Sequence, residues 1–288
     1  MIGFFAAISA VLSWTFACSI WRRESEYLLP RQINIYKNVL ASIFFLPVVL
    51  TISWFSDVFS IIVLMLSGIV GISIGDTLYI NSLKIIGTRK TLSFEALTPV
   101  FASILGTLSI NEIYPQKVWL GSFMVSFSLL MIIRQKTLKK EPARKINILG
   151  ILCSLGSVLC AVLAALLSRV ILISSTLSPL QTTEIRLLSA SIFLFLFFKK
   201  DFSYLISNKS ITRKNHLNLV LSTLLGTNCG ILLQQIVFKY LPIGIGWTLL
   251  SLSPVCALFI SKREEDKINK LTIIYSFLSF IGVFIVLI

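Results

Sequence analysis

The chain has 288 residues, 56% of them hydrophobic and 13% charged, with mean hydropathy +0.91. A soluble chain carries about 25% charged residues, so this composition belongs in a lipid bilayer. The formal net charge of +14 would suit a nucleic-acid partner, but the basic residues sit in short connectors between apolar runs, which is how membrane topology is encoded; no nucleic-acid partner is expected.

A helix needs about 20 mostly apolar residues to cross the hydrocarbon core. Ten runs qualify, near residues 2–21, 33–55, 60–82, 91–110, 117–134, 147–169, 180–198, 217–238, 243–261 and 271–288. The first could pass for a secretion signal. It has no basic start, however, and Arg22-Arg23-Glu24-Ser25 stands where a small-residue cleavage site would be, so it is read as the first membrane helix. The short connections make neighbouring helices antiparallel and leave little chain for a soluble domain. Cys18, Cys153, Cys160, Cys229 and Cys256 all fall inside apolar runs without C-x-x-C pairing, as small core residues and not a disulfide or metal framework.

The stretch Gly71 to Val100 returns 155 positions later. Gly71 and Gly75 recur as Gly226 and Gly230, Lys84 as Lys239, and Leu97-Thr98-Pro99-Val100 as Leu252-Ser253-Pro254-Val255. The earlier parts match at an offset of 149: Pro30, Gln32, Lys37 and Ser42-Ile43-Phe44 answer to Pro179, Gln181, Arg186 and Ser191-Ile192-Phe193. The chain therefore reads as two five-helix units, 1–134 and 147–288, joined by a basic linker over 135–146. Five is odd, so the second unit enters the membrane from the opposite side. That inverted repeat, with a site near the midplane, is a recurring plan of secondary transporters.

Pro99 and Pro254 each sit about midway along a run, where proline frees a backbone carbonyl. In lipid that carbonyl is tolerated only against protein or a polar cavity, and the symmetric pair is expected to kink two helices around one cavity. Gly71, Gly75, Gly226 and Gly230 are expected to let helices approach closely.

Ionisable groups inside a span mark a pathway or a paired site. Asp76 stands out, sharing a helical face with Tyr79 and, roughly, Lys84; a carboxyl there could bind a substrate ammonium or carry a coupled proton. Glu95, four residues before Pro99, could face the same cavity or favour a helix N-terminus. Lys37 and Arg186 are repeat-related cations, expected to pair internally with Asp76 or Glu184 or to snorkel to the headgroups, with a substrate carboxylate as the other possible partner. The counterpart of Asp76 is Ile231 and that of Tyr79 is Gln234, with Asn228 one turn earlier. Asp76, Tyr79, Asn81, Asn228 and Gln234 are the candidate substrate contacts; Asp76 and Glu95 are the candidate proton carriers. A carboxyl on one side and amides on the other suit a zwitterionic or polar metabolite.

Catalysis has little to stand on. His216 is the single histidine, leaving no second one for a metal site or a triad, and H-E-x-x-H, G-x-S-x-G and P-loop patterns are absent. No metal, cofactor or enzymatic activity is expected.

The ten-helix pattern, the repeat and the two L-[T/S]-P-V segments resemble the drug/metabolite transporter superfamily, specifically its EamA-like family, over essentially the whole chain. In that family each repeat carries small residues in its third helix, a proline in its fourth, a glutamate just after it and a glycine in its fifth. Gly71, Gly75, Pro99, Glu112 and Gly121 match in the first half. Gly226, Gly230, Pro254, Glu265 and Gly282 are the nearest matches in the second, and Lys37 meets the basic residue early in the second helix. The resemblance implies export of amino acids, metabolites or toxic compounds, often proton-coupled, without fixing the cargo. It also implies cytoplasmic termini. The charge pattern points the other way: 21 of the 26 Lys and Arg lie after odd-numbered helices, which by the positive-inside rule puts both termini outside.

The sequence is thus read as an all-α integral membrane protein of the plasma (inner) membrane, a monomer with ten helices in two inverted repeats, transporting a small molecule. The alternative is a non-transporting scaffold or a lipid-handling membrane enzyme.

Overall fold

A computed structural model describes residues 1–25, 27–55, 57–135, 147–207, 213–253, 255–256 and 270–288. Pro254, Glu265 and most of the 135–146 linker lie outside them. Among the described residues every element is helical.

The first half contains α1 (Ile2–Glu24), α2 (Pro30–Phe45) prolonged by a 3-10 stretch (Leu46–Thr51), α3 (Val58–Gly68), a π segment (Ile69–Gly75), α4 (Asp76–Glu95), α5 (Thr98–Ile110) and α6 (Gln116–Gln135). The second contains α7 (Ile148–Ser174), α8 (Pro179–Ser207), α9 (Arg213–Ser222), a second π segment (Thr223–Cys229), α10 (Gly230–Tyr240), α11 (Ile243–Leu250) and α12 (Lys270–Leu287).

Among the described residues six helical spans are long and apolar enough to cross a membrane: Ile2–Trp21, Pro30–Thr51, Val58–Ile86, Ile148–Ser174, Pro179–Asp201 and Asn215–Tyr240. Thr98–Ile110, Gln116–Ile132 and Ile273–Leu287 are apolar but shorter. Of the run near 243–261, the described part is broken after Leu250. The expectation of ten full-length spans therefore holds in this weaker form, six full-length and three short.

Local chemistry sets the helix starts. Pro30 occupies the first turn of α2, where its missing N–H is no loss, and the Gln32 side chain accepts the Leu29 N–H at 2.9 Å. The second half repeats this at α8: Gln181 accepts the Ser178 N–H at 2.9 Å while the Ser178 hydroxyl accepts the Gln181 N–H at 3.2 Å, a reciprocal capping box. The 149-residue match of Pro30 and Gln32 with Pro179 and Gln181 is thus a match of two helix caps. Asp57 caps α3 by accepting the Ser60 N–H at 3.1 Å, and hydrogen bonds from Ser60, side chain first and backbone second, hold its carboxyl below the ordinary range.

The segment α4 reverses direction within itself. In a straight helix nine residues rise about 13.5 Å, yet the hydroxyls of Ser82 and Thr91 meet at 2.8 Å. Its two legs are therefore the end of the third expected run and the start of the fourth.

The fourth run is not kinked at its middle by proline. The helix stops at Ala96-Leu97, and Pro99 lies in the first turn of α5, buried, where proline is tolerated without loss of an intrahelical bond. The second half breaks at Ser251-Leu252, the positions 155 residues on, before helical geometry resumes at Ser253. The two halves share this interruption.

Packing follows a two-fold exchange of partners: α1 packs on the second π segment and α10 while α7 packs on the first π segment and α4, and α2 meets α8, α5 meets α11 and α6 meets α12. Equivalent residues meet across the seam. The hydroxyls of Ser42 and Ser191 are 2.9 Å apart. A Cβ on Gly121 would lie 2.5 Å from the Gly282 carbonyl, and one on Gly282 would lie 2.9 Å from that of Gly121, so the α6–α12 contact depends on both glycines. Buried hydroxyls hold other seams, as Ser67 with Ser168 at 2.9 Å and Ser122 with Thr248 at 2.8 Å, the small polar contacts that join helices in lipid. Large apolar side chains such as Phe123, Phe197, Phe277 and Phe284 point outward, as a lipid-facing surface requires.

Candidate functional site

A cavity of roughly 220 Å³ opens where the halves meet. At about 30 Å³ per water in the liquid, that is room for about seven waters, the scale of a small metabolite.

Its walls come in repeat-related pairs: Gly71 with Gly226, Tyr79 with Gln234, Ala96 with Ser251, Thr98 with Ser253, and Lys37 with Arg186. The chemistry is not symmetric, because the positions of Asp76 and Glu95 are taken in the second half by Ile231 and Leu250. Both carboxyls come from the first half.

The π segments aim these residues. Four residues of a regular helix overshoot one turn by about 40°, so Gly71, Gly75 and Tyr79 would drift off a common face. The wider π turn over Ile69–Gly75 offsets that drift, and Gly71, Ile72, Gly75, Asp76, Tyr79 and Ile80 all reach the cavity. Such segments recur at functional sites. Side chains meet the carbonyls here: Asn34 donates to Ile72 and Ser73 at 3.0 and 3.2 Å, and Trp14 donates to Gly226 at 2.8 Å.

Lys37 and Asp76 form an ion pair inside the cavity. The Lys37 side chain is 4% exposed and that of Asp76 36%, so the cation is dry and the carboxylate faces the open space. The Lys37 ammonium also stands 4.7 Å from the centroid of the Trp21 ring, a cation–π contact. Glu95 accepts the Ser157 hydroxyl at 3.2 Å. Arg186 is 4% exposed, lines the same space, and has no hydrogen-bond partner at Nε or Nη1.

A second charged cluster closes one end of the bundle. Arg169 donates to Glu112 at 2.9 Å and to the Phe238 carbonyl at 2.6 Å. Glu112 also accepts the Tyr114 hydroxyl and the Ile243 N–H, the latter at 2.8 Å, and Tyr114 accepts the Gly244 N–H at 3.0 Å. One carboxylate thus joins the α5–α6 loop to the ends of α7 and α10 and the start of α11. Burial, chiefly, together with the bond to Glu112, raises the Tyr114 phenol above its usual range.

A model of the EamA-like transporter family matches residues 1–134 and again 148–288. The chain belongs to the EamA-like transporter family. The EamA-like protein is therefore a multi-pass membrane protein built of two family repeats and a transporter of small molecules. No curated protein matches it. Among solved structures 28 chains match; one, described only as "Crystal structure of protein", superposes with a TM-score of 0.77 over 98% of this chain and 95% of that one at 12% identity. At that identity the likeness shows the fold alone.

Of the residues singled out in sequence, Asp76, Tyr79, Gln234 and Glu95 line the cavity of the EamA-like protein, as do Gly71, Gly75 and Gly226. Asn81 and Asn228 do not line it; the Asn228 amide donates to the Ala41 carbonyl at 3.0 Å, holding the second π segment against α2. Gly71 packs on Ala164, Gly75 on Cys160, Gly226 on Ala17 and Trp21, and Gly230 on Trp14. Pro99 stands beside the cavity without lining it, and Pro254 is outside the described residues. Lys84 is exposed and does not line the cavity. Sequence reasoning passed over Trp14, Trp21, Trp247 and Asn34. Their signal was available: Trp14, Trp21 and Asn34 each lie in or at the end of an apolar run, where a side chain with an N–H donor needs a partner.

Proposed function

We propose that this EamA-like protein is a secondary transporter that exports amino acids or similar small metabolites by alternating access. The observation that carries the reading is a cavity at the seam of two repeats, lined by repeat-related pairs and holding ionisable groups from both halves. Two similar five-helix units of opposite membrane orientation can exchange conformations, and the exchange opens one site to alternate sides. On this reading Asp76, Tyr79 and Gln234 contact the cargo. The interruptions at Ala96-Leu97 and Ser251-Leu252 are the flexing points, and a monomer is sufficient.

Proton coupling fits the same cavity. A proton arriving on Asp76 neutralises the partner of Lys37 and frees that ammonium to swing, while Glu95 offers a second carboxyl on the same wall. The plasma membrane is the proposed location.

The test is flux of radiolabelled amino acids into proteoliposomes, with and without an imposed pH gradient, beside empty liposomes. Flux above the empty control that responds to the gradient, and loses that response in Asp76→Asn or Glu95→Gln, is the expected result. No flux of any amino acid through folded protein would refute the amino-acid assignment, and a gradient response surviving both substitutions would remove these carboxyls from coupling.

A further inference from the structure

Among the fully buried side-chain atoms of the described residues that line the cavity, those without hydrogen-bond partners are almost all donors. Nε and Nη1 of Arg186, the indole N–H of Trp21 and the indole N–H of Trp247 lack hydrogen-bond partners, and all three residues line the cavity. The other fully buried one is the Thr98 hydroxyl oxygen, which can donate as well as accept. The lining carboxylates, by contrast, are engaged: Asp76 by Lys37 and Glu95 by Ser157. Arg186 has no ion-pair partner among the described residues, although its repeat counterpart Lys37 has one.

Asp76 shares the cavity with Arg186 but is paired with Lys37, so a buried guanidinium that no carboxylate meets directly is a place where a ligand can supply the negative charge. Guanidinium is the side chain whose planar fork matches a carboxylate by two parallel bonds. Glycine at 71 lets the first half pack close to it: a Cβ there would lie 2.6 Å from the Ala164 Cβ and in contact with Nη2 of Arg186 at 3.4 Å. With four unpartnered donor nitrogens and a guanidinium charge on residues that line a space of roughly 220 Å³, the site suits an acceptor-rich anion once small side-chain movements turn these donors to it.

We propose that Arg186, assisted by the indole donors of Trp21 and Trp247, is the docking point for a carboxylate on the transported solute. The inference rests on the transporter reading and narrows it: the cargo is a carboxylate-bearing solute, and the carboxylate, not the amine, is the group the site demands. The Lys37–Asp76 pair then lies free to meet a second polar group where the solute has one, so that zwitterions and simple anions both enter while amines and amides do not.

The test uses the full chain, purified in detergent and in nanodiscs, with four probes that share one phenethyl frame, phenylalanine, N-acetylphenylalanine, phenylalanine amide and phenethylamine, together with acetate and benzoate. Binding is read by the rise in unfolding temperature and by quenching of the cavity tryptophans. The two amino-acid-derived carboxylates are expected to half-saturate at least ten-fold below the amide and the amine. Arg186→Gln should bring that ratio to within two-fold, and Arg186→Lys should keep part of it. Equal binding of acid and amide by the native protein overturns the inference, as does a ten-fold preference that survives Arg186→Gln, or failure of every carboxylate probe to bind. If Arg186→Gln does not yield folded protein, the native ratio and the Arg186→Lys variant decide by the same thresholds. Proteoliposome flux separates the two readings: flux without acid preference removes the carboxylate assignment and leaves transport standing, whereas Arg186-dependent acid binding without flux does the reverse.

Discussion

Removing one member of the Lys37–Asp76 pair has a cost that can be bounded from its surroundings. Breaking a fully buried pair costs about 3–5 kcal/mol because the remaining charge is stranded, while an exposed pair is worth about 0–1 kcal/mol. Here the cation is 4% exposed and the carboxylate 36%, so the two single substitutions are unequal. Asp76→Asn strands Lys37 in a dry position with only the Trp21 ring 4.7 Å away, and should destabilise by about 2–3 kcal/mol, between those limits. Lys37→Met leaves a carboxylate that faces the cavity and keeps part of its hydration, and should cost about 1–2 kcal/mol on the same reasoning. The double variant carries no stranded charge and should return close to the native value, which makes the coupling about 3–5 kcal/mol. The assay is a double-mutant cycle from reversible unfolding in mixed micelles, all four proteins under one condition. Single-variant costs that add in the double variant to within about 0.5 kcal/mol would refute the claim that these two charges stabilise one another.

Other expectations follow from the same geometry. Glu112→Gln should destabilise by about 3–5 kcal/mol, because it leaves Arg169 buried without its counter-charge; unfolding in micelles checks it, and a change below 1 kcal/mol would mean the clamp is incidental. Ser42→Ala should cost about 0.6 kcal/mol, the mean for hydrogen bonds between membrane helices, and adding Ser191→Ala should cost nothing further, since the two hydroxyls are each other's partner. Gly226→Ala should cost about 1–3 kcal/mol by overpacking, its Cβ meeting Ala17 and the Trp21 ring, and should shift the tryptophan emission of the cavity. Asp57, whose carboxyl lies below its ordinary range when folded, favours the folded helix start at any pH above its unfolded value near 3.9. That contribution disappears as pH falls through the lower folded value, so faster amide exchange at Ser60 should set in below about pH 4 and be abolished as a pH effect in Asp57→Asn.

Which parts of this arrangement were legible beforehand has a physical pattern. Whatever depends on residue type along the chain could be read directly: the apolar runs, the two units, the recurrence of Pro30 and Gln32 as Pro179 and Gln181, and the unusual position of Asp76 inside a span. Mean hydropathy and repetition at fixed offsets are local quantities, and they already placed the chain in a membrane and in this family. What only the tertiary structure decided is where directions and partners are set by packing. The π turns at Ile69–Gly75 and Thr223–Cys229 leave no mark in hydrophobic periodicity, yet they rotate Tyr79 and Asp76 onto one wall. Pro99 reads as a mid-helix kink because the 91–110 run is unbroken in hydropathy; the backbone instead stops at Ala96-Leu97 and begins a new helix. Asn228 and Gln234 look alike in sequence, but one amide is turned to the Ala41 carbonyl and the other to the cavity. Lys37 and Arg186 are the same position of the two repeats. One is ion-paired because the first half carries Asp76; the other makes no ion pair among the described residues, and its own half has Ile231 at the matching place. Which of the two cations is paired could not be read from the sequence, since electrostatic pairing depends on distance across the seam and not on separation along the chain.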